Sequence, residues 1–186
     1  MGLFAVIDTE TNWLDEVMSV GVAVSGEEKF GLEDARYYIL SREASVGGMY
    51  DGVLELPGKR NTVYGTRREV MKDLNSWLMR LGVQKIFAYN ACFDKAHLPE
   101  LSGYAWYDIM RIAAYRQYNA FIPADAPCCR TGRLRSRYGV EAMTRLLTGD
   151  RDYRETHNAL YDAADELQIM KKLGRPLSGY EPARLI

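Results

Sequence analysis

The sequence is short of the residues that staple small secreted or metal-clipped domains. Of 186 residues only three are cysteine, two histidine and six proline. The cysteines, Cys92, Cys128 and Cys129, are odd in number and two are adjacent, which excludes a disulfide framework and a CxxC metal clip. Such thiols suit a reducing compartment, so a cytoplasmic protein is expected. Long apolar runs are also missing. The first, Gly2 to Ile7, stops at Asp8, too short to cross a bilayer. It has neither the basic start nor the small-residue cleavage site of a leader, so no membrane partner is expected. Nor is there an excess of one charge: 24 Lys and Arg face 25 Asp and Glu, a net charge of −1. A basic binding surface must therefore come from local clustering. With 47% apolar and 26% charged residues the composition is that of a soluble globular chain, which excludes wholesale disorder. The length suits one core.

Periodicity outlines an α/β chain. Leu3–Asp8 (LFAVID) predicts a buried strand, and Val17–Ser25 and Arg36–Ser41 complete a meander. Arg42–Gly65 is Gly-rich and without period, either a functional flap or a set of extra short strands. From Thr66 to Leu81 apolar residues recur at three or four, predicting a helix with Thr66 as cap and Gly82 as stop. Lys85–Tyr89 and Tyr104–Tyr107 read as strands. Helices are predicted over Ala91–Leu101, from Asp108 to about Asn119, over Val140–Leu147 and over Asn158–Leu173. Phe121–Tyr138 reads as a loop. Three strands followed by alternation predict a mixed sheet with helices on its faces. One domain is expected over residues 1–174, with a loose tail over 175–186.

The acids carry the chemical signal. Asp8 and Glu10 lie two apart at the end of an apolar strand, so both point the same way and Thr9 points opposite. Two such acids repel unless a cation lies between them, one loses its charge, or one turns into solvent. Asp94, in Asn90-Ala-Cys-Phe93-Asp94, again follows an apolar strand; it is either a ligand or an ordinary complement to a helix dipole. His157 and Asp162 are five apart, which in a helix turns by about 140°. They converge if His157 lies at the helix edge, where Thr156 can cap. His97, without an acid at a meaningful spacing, reads as structural.

Taken together, strand-end DxE, then NxxFD, then HxAxxDA opening the last long helix, resemble the DEDDh-type 3′–5′ exonuclease superfamily. The resemblance spans Leu3 to about Leu173. It implies a ribonuclease H-like α/β fold, a five-stranded mixed sheet whose second strand is antiparallel, flanked by helices. It also implies that Asp8, Glu10, Asp94 and Asp162 hold two divalent cations, Mg²⁺ or Mn²⁺, and that His157 is the general base. The expected reaction is release of nucleoside 5′-monophosphates from the 3′ end of DNA or RNA. A cation pair stabilises both attacking and leaving oxygens of an in-line displacement, and neutral imidazole is available near pH 7 to take a proton.

Substrate contacts are expected at Thr9, Thr11, Asn12, Trp13, Asn90 and Phe93. The family often continues its first motif as DxETTG, whereas here Asn12 and Trp13 follow Thr11. Trp13 can stack on the last base or cover the sheet. Arg130, Arg133, Arg135 and Arg137 fall within eight residues, in a segment (111–154) with nine basic and four acidic residues. Phosphate backbones reward such clustering, so these arginines are expected to meet a single-stranded 3′ end. A homodimer stays open. Two alternatives are weighed: a non-catalytic nucleic-acid-binding module on the same scaffold, and a phosphatase, since Asp8-Thr9-Glu10-Thr11 is superficially similar to the haloacid dehalogenase DxDxT motif.

Overall fold

The computed structural model describes residues 2–186, apart from the side chain of Arg60. A six-stranded mixed sheet forms its middle. In chain order the strands are β1 (Leu3–Thr11), β2 (Val17–Gly26), β3 (Leu32–Leu40), β4 (Thr62–Gly65), β5 (Lys85–Ala88) and β6 (Ala105–Asp108). Across the sheet they run β4-β3-β2-β1-β5-β6, with β2 antiparallel to its neighbours. The helices are α1 (Ser41–Ala44), α2 (Arg67–Arg80), α3 (Cys92–His97), α4 (Met110–Ala113), α5 (Val140–Thr148) and α6 (Ala159–Leu173). Alternation along β1 feeds both faces. Phe4 and Val6 pack with Ala163, Leu167 and Met170 of α6, while Ala5 and Ile7 pack with Leu74 and Leu78 of α2.

The expected mixed sheet and the antiparallel second strand are present, with six strands rather than five. The extra one, β4, adds to the outer edge of β3 by parallel pairing of Tyr37–Leu40 with Thr62–Gly65. It matches the alternative of extra short strands within Arg42–Gly65; four residues on an edge carry no period that could decide this in sequence. The first strand runs three residues past Asp8, because the long β2 pairs with Thr9 and Glu10 before a bulge at Glu10/Thr11.

Other boundaries shifted for local reasons. Thr66 caps α2 in a capping box with Glu69, and Gly82 follows it in left-handed backbone (φ 71°). The helix expected over Ala91–Leu101 ends at His97, since Pro99 drives Leu98 out of helical geometry (φ −121°, ψ 59°). The helix expected to reach Asn119 stops at Ala113, whose carbonyl accepts from Asn119 Nδ2 at 2.6 Å, and the Ala114 carbonyl accepts from Leu134 N–H at 2.9 Å. The loose tail is corrected too. Leu177, Tyr180 and Ala183 are buried, Tyr180 packs edge-on to Phe87, and Leu185 N–H donates to the Trp106 carbonyl at 2.8 Å. That segment covers the edge of β6. No helix among the described residues is long and apolar enough to cross a membrane.

One glycine sets how closely α6 meets the sheet. Gly21 pairs with Asp8 across β1 and β2, and a Cβ there would lie 2.0 Å from the Ala159 carbonyl oxygen. The start of α6 therefore rests directly on β2, beside the end of β1. Gly21→Ala must lift the helix backbone. The expected loss is roughly 3 kcal/mol, or about 6–12 °C in Tm for a chain of this size. Thermal denaturation checks this, and a drop under about 2 °C would mean that the helix start yields freely.

Candidate active site

The sheet and two helix starts bring the acids to one place. Asp8 and Glu10 leave β1 on the α6 side. Asp162 lies in the first turn of α6 and is 2% exposed. His157 precedes that helix in left-handed backbone (φ 56°), and Asn158, not Thr156, is the cap, accepting Leu160 N–H at 3.2 Å. This kink defeats the divergence that five helical residues would impose. Ligating atoms of Glu10, His157 and Asp162 all lie within 4.8 Å of one another. Asp94, on α3 and 3% exposed, accepts the Thr9 hydroxyl at 2.8 Å. Thr9, on the face of β1 opposite Asp8 and Glu10, thus holds Asp94 at the strand end.

The electrostatics are those of an unbalanced acidic nest. Burial first, and then the Asp162, Glu155 and Asp94 charges, push Glu10 up to about 8. Burial likewise pushes Asp162 to about 7, helped by Glu155 and Asp165, and Asp94 to about 7, against the Thr9 hydrogen bond. Asp8 is raised well above its ordinary value by burial, then by Glu166, Asp94, Glu10 and Asp162. None of the ion pairs among the described residues involves these acids. Asp8 Oδ2 and Asp162 Oδ1 are buried with no hydrogen-bond partner. Orphaned carboxylate oxygens cost free energy unless a cation meets them. An all-oxygen acidic set with one imidazole suits hard divalent cations, so these residues fit such ions.

Glu166 was not foreseen. It is 1% exposed on α6, and its Oε2 accepts Tyr89 N–H at 3.0 Å. Its spacing of four from Asp162 places both on one helix face, a signal present in the sequence. With Asp108, which accepts Asn90 N–H at 3.0 Å, it fixes the turn leading to α3. Asn90 is exposed there in left-handed backbone (φ 62°), which asparagine tolerates. Tyr50 was also missed: its ring stacks on His157 with centroids 4.1 Å apart. No local pattern could have paired residues so distant in the chain.

The remaining candidates divide. Asn12 is buried, and its side chain is used inside its own turn and on the Glu43 carbonyl. Trp13 is 66% exposed and does not cover the sheet. Thr11 is half-buried at the bulge, and Phe93 is exposed beside the His97 ring. His97 does have an acid, Asp15 Oδ1 at 3.2 Å, 82 residues away. Of the arginines, Arg133 lies over the Tyr138 ring at 4.6 Å and Arg135 donates to the Cys128 carbonyl at 3.2 Å, while Arg130 and Arg137 are exposed. Tyr89 ties this loop to the site by donating its hydroxyl to the Tyr138 carbonyl.

No family model and no curated protein matches the chain by sequence. Solved structures do match. The nuclease domain of 3′hExo, a DEDDh family member bound to rAMP, superposes with a TM-score of 0.63 at 16% identity, covering 92% of this chain and 90% of that one. A full-length 3′-exonuclease gives 0.65 at 16% identity over 96% of this chain and 83% of its own. E. coli Exonuclease I in complex with a dA16 oligonucleotide gives 0.60 at 13% identity over 98% of this chain, which spans 43% of that protein's length. This chain therefore has the α/β, ribonuclease H-like fold of the DEDDh-type 3′–5′ exonuclease superfamily.

Proposed function

We propose that the chain is a metal-dependent 3′–5′ exonuclease that hydrolyses terminal phosphodiesters of DNA or RNA and releases nucleoside 5′-monophosphates. The observation that carries this reading is the convergence of Glu10, His157 and Asp162 beside orphaned oxygens of Asp8 and Asp162. Asp8, Glu10, Asp94 and Asp162 would hold two divalent cations, Mg²⁺ or Mn²⁺, which when bound acidify water and stabilise the attacking and leaving oxygens. His157 takes the proton of the attacking water at the imidazole nitrogen facing Glu10 and Asp162. Thr9 keeps Asp94 turned toward the same place. Exposed Trp13, Phe93 and Asn90 offer a rim for the last nucleotides, and Arg130 and Arg137 offer charge to the strand behind them. Three free thiols support a cytoplasmic setting. A phosphatase is not proposed, because that chemistry needs a lysine by the first acid and none pairs with Asp8 among the described residues.

Digestion of 3′-labelled and 5′-labelled DNA and RNA strands, with Mn²⁺ and with EDTA, tests the reading. The expected result is early release of the 3′ label as a mononucleotide, abolished by EDTA. Strands that are bound but stay intact with Mn²⁺ would leave a binding module instead.

A further inference from the structure

We propose that Tyr50 is a positioning residue for His157, holding the plane of its imidazole over the acidic nest; this rests on the nuclease reading above. The two rings lie nearly parallel, with planes 12° apart and centroids 4.1 Å apart. Little else fixes the histidine. Among the described residues, the hydrogen bonds and ion pairs of a histidine ring belong to His97, and the His157 ring has none. Acids face His157 from β1 (Glu10) and α6 (Asp162), their ligating atoms all within 4.8 Å of one another. None of them bonds the ring, so none chooses its rotation. A flat partner in stacking contact does choose it.

Tyr50 is in turn placed by the residue next to His157. Asn158 Nδ2 donates to the Val53 carbonyl at 2.8 Å and to the Tyr37 hydroxyl at 3.2 Å. Tyr50, Leu54 and Leu160 pack with Tyr37 and Ala159 in a small apolar cluster. One amide thus brings the start of α6 and the strap carrying Tyr50 into register, so the two rings meet. The segment 42–65, for which the sequence left a flap or extra short strands open, supplies this side chain.

Tyr50→Phe keeps the stacked face and Tyr50→Ala removes it. On a 3′-labelled strand with Mn²⁺, the Phe variant should stay within about twofold of the parent, while the Ala variant should lose about three- to tenfold in kcat with KM little changed. In NMR spectra the His157 ring protons should move downfield in Tyr50→Ala, as ring-current shielding is lost, and stay in place in Tyr50→Phe. An active parent whose Tyr50→Ala variant leaves these resonances unmoved, or raises KM with kcat unchanged, overturns the role of Tyr50 alone. A parent inactive with every metal and strand overturns the nuclease reading, and this role with it.

Discussion

Asp8→Asn is expected to abolish strand cleavage and, at the same time, to raise the stability of the metal-free protein. The two effects share one cause. Asp8 carries a buried oxygen with no partner, and it feels the charges of Glu166, Asp94, Glu10 and Asp162 together. Removing its charge would weaken the hold on the divalent cations that stabilise the transition state, a loss of about 10³-fold in kcat. It also relieves repulsion among the acids when EDTA keeps cations away. Even one pKa unit of relief is ~1.4 kcal/mol, or about 3–6 °C in Tm. Cleavage assays and thermal denaturation in EDTA read the two halves separately. Lower activity with lower stability would make Asp8 an ordinary structural carboxylate.

Divalent ions should stabilise the protein strongly, and more so at high pH. Glu10 is pushed up to about 8, and Asp94 and Asp162 to about 7, against ordinary values of 4.5 and 3.8. A folded state that holds protons the unfolded chain has released is most stable below the ordinary carboxylate range. That stability is lost as pH rises from about 4 to about 8. In EDTA the Tm should therefore fall between pH 5.5 and 8. Cations at a hundred times their Kd add about 2.7 kcal/mol, or roughly 5–10 °C. The gain shrinks at pH 5.5, where protons compete for the same oxygens. A Tm that rises with pH in EDTA, or ignores Mg²⁺ and Mn²⁺ at pH 8, would remove the cation site.

Much of the site is legible because its parts are local. Strand alternation alone puts Asp8 and Glu10 on one side. A five-residue gap between His157 and Asp162 can converge only if the histidine leaves the helix, and it does, at φ 56°. The Thr66–Glu69 cap is equally local. Elsewhere the reading failed where a partner came from far along the chain. His97 reads as lacking an acid, yet Asp15, 82 residues away, lies 3.2 Å from its ring. The 175–186 segment looked loose, because the contacts that bury Tyr180 are made by Phe87, not by its neighbours in sequence.

By itself the sequence determined which residue types stand at strand ends and helix starts, since pleat and helical pitch are properties of neighbouring residues. It determined the acid motifs and the mixed α/β pattern. Tertiary structure alone decided that Thr9 holds Asp94 and that Tyr50 stacks on His157. Those pairings depend on how closely α6 and the strap approach the sheet. The approach is set by packing across distant segments, above all at Gly21, and no local pattern encodes it.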